Sequence, residues 1–260
     1  RNAVAIWIVG KIGIDAALKT SRSLGVQTPL QRYATTALGA SEVNLLELAS
    51  AYRTIASGIV ASPHVIQRIT RGSGEGIDTN DRRRGPMPIV DAALPWIQEG
   101  LRGVVRIPTG TAHVLDTRGF PIAVMGKTGT TNEFRDALFV GSTYGVDGIT
   151  VAVRIGFDDN RSLGRGETGG RVALPVFQEL MLKVYHDGIV GPAPLFPNQM
   201  EQRITRYLQG ETPVSPVESA LSALSVAPVE EEFAPIPQLT AVSAPLTPRA
   251  YHEPPSSTVP

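Results

Sequence analysis

Lys127, Thr128, Gly129 and Thr130 are the residues whose types and spacing could do chemistry in this sequence. They follow the short apolar run Pro121–Val124, which reads as a buried strand, so the cluster sits on or just past that strand. Side chains alternate across a strand, which puts the Thr128 and Thr130 hydroxyls on one face. Lys127 adds a cation, and Gly129 leaves a bare position where a partner backbone can approach closely. Such a strand suits an extended peptide that ends in a carboxylate.

Gly126-Lys127-Thr128 also matches the end of a phosphate-cradling loop, G-x-x-x-x-G-K-[ST]. That pattern needs a glycine five residues before Gly126, where Pro121 stands. The lysine of such a loop also opens a helix, whereas Gly129, Asn132 and a second strand-like run follow here. Both departures exclude it. On the tripeptide alone, the remaining alternative is an ordinary turn.

The bulk composition narrows the function classes. The chain has 260 residues, with 24 basic and 24 acidic side chains and no net formal charge, so nothing points to nucleic acid or an anionic membrane surface. With no cysteine, disulfides, thiolate catalysis and cysteine-ligated metals are excluded. His64, His113, His186 and His252 have no mutual spacing for a metal or a triad, and read as surface or loop residues. The chain opens on Arg1 and carries no signal peptide, and its early apolar run, Ala3–Val9, is too short to span a bilayer. We therefore expect a portion of a longer protein.

The elements that must position the cluster follow from periodicity. Residues 2–12 are apolar nearly all round and predict a buried helix; Asp15 can cap a following helix that stops at Gly25. A helix is expected from Ser41 to Ser57, with Leu45, Leu46, Ala49, Tyr52 and Ile55 or Ala56 inward and Gly58 as its stop. Residues 71–88, including Arg82–Arg84, read as a solvated polar loop, and Ile89–Val105 as a helix with Ala93, Leu94, Ile97, Leu101 and Val104 inward. Residues 35–40 and 110–119 read as loops. Three strands should follow: 121–130, 134–143 and 149–157. The last alternates Ile149, Val151, Val153, Ile155 and Phe157 with smaller or polar residues, the pattern of a half-buried antiparallel strand. A final helix over 172–185 should turn Val176, Phe177, Leu180, Met181 and Val184 inward. Beyond it, 13 of the 21 prolines lie past residue 190, so 188–260 is expected to be a mostly disordered tail, with 196–208 as a possible short helix.

Several stretches together resemble one family. Lys-Thr-Gly is the third signature of penicillin-binding proteins and serine β-lactamases. The run from Gly126 to Gly141 resembles that motif and the next strand of a class A penicillin-binding protein, a bifunctional peptidoglycan synthase. Leu38–Ala40, Glu47–Arg53, Gly156–Asp159 and Gly166–Gly170 fit the same family in the same order, and the likeness covers roughly 1–185. The implied fold is α+β: an antiparallel sheet flanked by helices beside an all-helical lobe, incomplete at the N-terminus. The implied domains are 1–187, the C-terminal portion of a penicillin-binding transpeptidase domain, and 188–260, the tail.

The resemblance also implies roles. The family's S-x-x-K motif, which supplies the nucleophilic serine, is absent: Ser21, Ser23, Ser50 and Ser57 have no lysine three residues on. Its S-x-N motif looks cut, with Arg1-Asn2 as the last two residues, so Asn2 joins Lys127 as a catalytic candidate. Taken alone, Asn2 reads as an ordinary helix cap. Lys127 would attract the terminal carboxylate of a peptidoglycan stem peptide; Thr128 and Thr130 would bind it, and Gly129 would admit the substrate strand. The Thr130 backbone N–H would be one of two oxyanion donors, each typically worth about 3 kcal/mol to the transition state. No cofactor or metal is implied, and β-lactam antibiotics are the expected inhibitors. The setting would be the periplasmic face of the inner membrane, with the anchor upstream. Arg135, Asp136 and Glu167 are expected to be structural. A serine β-lactamase or DD-carboxypeptidase relative, or a non-catalytic scaffold that kept the fold, are the alternatives.

Overall fold

The computed structural model describes residues 2–61, 63–66, 69–70, 76–77, 85–86 and 93–211. Arg82–Arg84 and residues 212–260 of the expected Pro-rich tail lie outside the described residues.

Helix α1 (Asn2–Ile12) is followed, after Gly13, by α2 (Ile14–Ser23). The apolar sequence of α1 led us to expect burial, and here the structure differs: Val9 is 8% exposed, but Val4 is 58% and Trp7 63% exposed. α1 packs on α2 and on the 3-10 turn Ala34–Leu38, which cover one side of it only. That turn lies where a loop was expected. Asp15 does not cap α2, because Gly13 occupies the cap position. Instead Asp15 sits in the first turn and pairs with Arg32, whose Nη2 donates to Oδ2 at 2.8 Å and holds the carboxyl below its ordinary range.

Helix α3 (Leu45–Ser57) begins later than the periodicity suggested, because Asn44 caps it by accepting from the Leu46 N–H at 2.8 Å. Gly58 stops it as expected: at φ 71° it donates to the Thr54 carbonyl, 2.8 Å away. Glu47 ties the 27–28 segment to this helix. One carboxylate oxygen accepts from the Thr28 N–H (3.0 Å), the Thr28 hydroxyl (2.8 Å) and the Gln27 N–H (3.1 Å), and the Thr28 bonds lower its pKa. Two short ladders follow, β1 (Ile59–Val60) with β4 (Gly85–Pro86) and β2 (Ile69–Thr70) with β3 (Gly76–Ile77).

The main sheet has the expected three strands, β5 (Met125–Thr130), β6 (Asp136–Ser142) and β7 (Thr150–Gly156), antiparallel and in the order β5-β6-β7. Helix α4 (Leu94–Arg106) packs beside β5, and the one-turn α5 (Val114–Thr117) stands within the expected 110–119 loop. A π-helical turn, Gly169–Ala173, leads into α6 (Leu174–His186). Phe139 of β6 meets Phe177 of α6 edge to face, with centroids 4.7 Å apart, inside a core that includes Val105, Leu115, Val124, Leu174 and Met181. Burying one such ring contributes about 1.5–3 kcal/mol, and the edge-to-face geometry adds about 1 kcal/mol.

Helix faces depart from the periodicity. On α4 the buried residues are Gln98, Arg102, Gly103 and Val105, while Ile97 is 38% exposed. Polar side chains take that line because they satisfy carbonyls of neighbouring elements: Gln98 Nε2 donates to Ile55 O at 2.8 Å. On α3 the small residues Ala51, Thr54 and Ala56 are buried, and Leu46 stays 60% exposed. On α6 Val176 and Leu180 face outward, and Leu174 takes their place beside Phe177 and Met181.

Past residue 187 the chain is still packed. Helix α7 (Asn198–Leu208) lies on α4, and Phe196, Met200 and Ile204 form a second small core with Ala56 and Met125. Residues 196–208 therefore carry packed structure within the stretch expected as a mostly disordered tail. This is the short helix that the sequence offered within 196–208; Met200 and Ile204 are its buried anchors, and Phe196 just before it is buried too.

Candidate functional site

Antiparallel pairing decides which way each residue of the Lys127 cluster faces. Thr128 lies opposite Phe139 and Thr130 opposite Ala137, both buried in the core that α6 completes. Directly paired residues share a face, so both threonines point to the α6 side of the sheet. Lys127 and Gly129 belong to the other face, with Met125, whose side chain packs against Ala56 of α3. Lys127 is exposed, and its Nζ donates to the Thr128 carbonyl at 2.8 Å. Gly129 lies over Leu138: a Cβ there would come within 3.2 Å of the leucine side chain.

Two neighbours hold the hydroxyls. Thr130 Oγ1 accepts from the Gly169 N–H at 3.1 Å, and Thr128 Oγ1 lies 2.7 Å from Thr111 Oγ1. The turn before α6 comes this close to the strands because residue 169 is glycine. A Cβ on it would sit 2.1 Å from the Leu138 carbonyl oxygen and 2.4 Å from that of Gly129. Gly170 is similarly crowded: a Cβ on it would sit 2.7 Å from the Thr111 carbonyl oxygen.

The structure thus brings Lys127, Thr128, Gly129 and Thr130 onto one strand with both hydroxyls on one side. Two hydroxyl groups and a strand edge can together hold a carboxylate and the backbone leading to it, while the Lys127 cation belongs to the opposite face of the same strand. Asn2 stands apart in this respect. It is the exposed first residue of α1, and among the described residues no hydrogen bond links it to β5. Arg135 and Asp136 make ion pairs, though with different partners: Arg135 Nη2 to Glu133 at 2.5 Å and Asp136 to Arg154 at 2.6 Å. The Asp136 N–H also donates to Thr131 Oγ1 at 2.7 Å, which ties the loop after β5 to the start of β6. Glu167 stays in its loop, 3.7 Å from Arg171. Of the histidines, His113 Nδ1 lies 2.9 Å from the Val105 carbonyl oxygen, and His186 lies beside Asp187.

Sequence reasoning missed Thr111 and Gly169 as members of this cluster. A signal existed for the first, since Thr109-Gly110-Thr111 repeats the hydroxyl-glycine-hydroxyl pattern of Thr128-Gly129-Thr130.

The model of the penicillin-binding protein transpeptidase domain matches residues 8–182. The chain belongs to that family. Penicillin-binding protein 1A of Aquifex aeolicus is 36% identical over 188 residues, covering 69% of this chain and 24% of its own length. The protein of the same name from Neisseria gonorrhoeae is 36% identical over 194 residues, covering 70% and 23%. The chain therefore spans about a quarter of the length of the curated relatives it matches. Among solved structures, penicillin-binding protein 1A from Haemophilus influenzae superposes with a TM-score of 0.62 at 24% identity, over 76% of this chain and 34% of that one. The D,D-transpeptidase domain of a peptidoglycan glycosyltransferase from Eggerthella lenta gives 0.53 at 20% identity, over 73% and 52%. These likenesses place the α+β arrangement of sheet and helices in the penicillin-binding transpeptidase fold, in agreement with the class A resemblance of the motifs.

Proposed function

We propose that this chain carries the substrate-carboxylate side of a serine D-Ala-D-Ala transpeptidase site that cross-links peptidoglycan stem peptides. The single observation that carries the reading is the placement of Lys127-Thr128-Gly129-Thr130 on β5, with both hydroxyls held on one face. Family membership supports it.

In this reading a serine outside this chain attacks the carbonyl carbon of the penultimate D-alanine. Its Oγ–C bond forms, the C–N bond to the terminal D-alanine breaks, and D-alanine leaves as the amine with the proton the serine gave up. An amine on a second stem then attacks the acyl carbon, forming the cross-link and returning a proton to the serine. Lys127 draws the terminal carboxylate in and polarises the serine of the cut serine-x-asparagine motif, which shuttles the proton. Thr128 and Thr130 fix the carboxylate, and Asn2 orients the substrate as the last residue of a serine-x-asparagine motif. β-Lactams enter as mimics of the D-Ala-D-Ala terminus, and the reaction belongs on the extracytoplasmic side of the bacterial inner membrane. The chain has no S-x-x-K serine, and on this reading it does not turn over by itself.

The test is intact mass after incubation with benzylpenicillin, on this chain and on the same chain extended upstream through an S-x-x-K serine. Gain of one penicillin mass by the longer form alone supports the reading. If neither form is acylated, the role given to Lys127 fails and a non-catalytic scaffold replaces it. Labelling of the short chain would place the nucleophile within it and overturn the division of labour.

A further inference from the structure

The two carboxylate-binding hydroxyls are each engaged by the protein, and the direction of those bonds matters. A threonine hydroxyl has one proton to give and lone pairs to receive. A carboxylate only accepts. To hold it, Thr128 and Thr130 must each donate outward, so whatever else touches their oxygens must be a donor.

For Thr130 that condition is met by the backbone: the Gly169 N–H can only donate, at 3.1 Å, which leaves the Thr130 proton for a ligand. For Thr128 the neighbour is another hydroxyl, Thr111 Oγ1 at 2.7 Å, and either oxygen can be the donor. An arriving anion resolves this, because only the order Thr111 to Thr128 to carboxylate gives every oxygen a proton it can use. Among the described residues Thr128 is the one hydrogen-bond partner of Thr111 Oγ1, so no other protein acceptor there takes its proton. Thr111 is held in place by its own backbone, since its carbonyl oxygen sits against Gly170, where a Cβ would come within 2.7 Å.

We propose that Thr111 is a positioning residue for the carboxylate site: it donates to Thr128 and thereby turns the Thr128 hydroxyl into a donor aimed at the substrate. The inference rests on the proposed role of Thr128 as a carboxylate ligand. It assigns to the 109–111 segment a specificity role, discriminating ligands that end in a carboxylate from those that do not.

The test uses the longer, serine-containing form and the second-order acylation rate by benzylpenicillin and by benzylpenicillin methyl ester, which lacks the free carboxylate. The acid-to-ester rate ratio is the readout, because a change that merely loosens the fold lowers both rates together. In Thr111→Val the ratio should fall about tenfold, the effect of one lost hydrogen bond to a group that faces an anion. Thr111→Ser keeps the hydroxyl and should keep the ratio; Thr111→Ala is the second deletion variant should valine not be accommodated. Thr128→Val is the reference. If it leaves the ratio intact, the carboxylate role itself is wrong. If it collapses the ratio while Thr111→Val and Thr111→Ala do not, the carboxylate role stands and the role of Thr111 is overturned. An equal loss of both rates in the Thr111 variants makes that residue structural and also overturns the proposal.

Discussion

Arg102 Nη1 donates to the carbonyl oxygen of Val124 at 2.7 Å, one residue before the strand that carries Lys127. The same guanidinium reaches Glu201 of α7 through Nε at 2.8 Å and stacks over the Phe196 ring with its centre 4.8 Å away. Arg106 adds a weaker contact to the other Glu201 oxygen at 3.4 Å. A helix beyond residue 187 is in this way wired to the start of β5, and Met125 packs into the same small core as Phe196 and Met200. The C-terminal helix therefore helps seat the strand of the candidate site.

The first prediction follows from that link. Arg102→Met leaves Val124 O and the Glu201 carboxylate without their shared donor in a largely buried place. Removing one partner of such a pair costs about 2–3 kcal/mol once partial solvent access to Glu201 is allowed for. The melting temperature should drop by about 5–10 °C. Glu201→Gln keeps a polar partner and should cost less than half as much. Thermal unfolding followed by circular dichroism measures both. An Arg102→Met protein as stable as the parent would show that α7 and β5 are independent.

Gly169→Ala tests the close approach of the π turn to the sheet. The added methyl would lie 2.1 Å from one backbone carbonyl oxygen and 2.4 Å from another, and neither can swing away as a side chain would. The turn must retreat, at a cost of at least about 3 kcal/mol, and the Gly169 N–H moves off Thr130 as it does. Urea unfolding gives the stability loss. Amide and methyl shifts of Thr130, larger than those of residues in β7, locate the movement. Gly145→Ala is the contrast, because no atom lies within 4 Å of its added Cβ, although its φ of +78° carries its own smaller strain.

Much of this arrangement was legible from residue order, and the parts that were not share a physical cause. Period-two alternation exposed β7, and the Lys127 cluster marked β5, because both signals are local. Gly58 ended α3 where expected for the same reason. Burial of Gln98 and Arg102 was not legible: their positions on α4 make sense only against the carbonyls of Ile55 and Val124, which are distant in sequence. Thr111 escaped for a similar reason, since its hydroxyl gains meaning only from Thr128, 17 residues on. The short helix within 196–208 was legible from the apolar spacing of Met200 and Ile204, but its packing was not, because its partners Ala56 and Met125 are distant in sequence. Conversely, α1 reads as buried because its sequence is apolar all round, whereas among the described residues α2 and the 34–38 turn are the main elements packed on it and leave Val4 and Trp7 exposed.

The last prediction concerns Tyr52 on α3, whose burial pushes its phenol up to about 12. In the unfolded chain the same phenol titrates near 10. Between these values the unfolded state has lost the proton while the folded state keeps it, so stability intact below pH 10 declines as pH rises toward 12. Tyr52→Phe has no proton to lose there. The parent should therefore lose about 1 kcal/mol more than the variant between pH 9 and pH 11, read as the difference in urea midpoints at the two pH values. Absorbance titration at the tyrosinate band supplies an independent check: the parent-minus-variant difference should rise only near pH 12. A difference that rises at pH 10, with midpoints falling in parallel, would place the Tyr52 hydroxyl in solvent and remove it from the packing between α3 and the sheet.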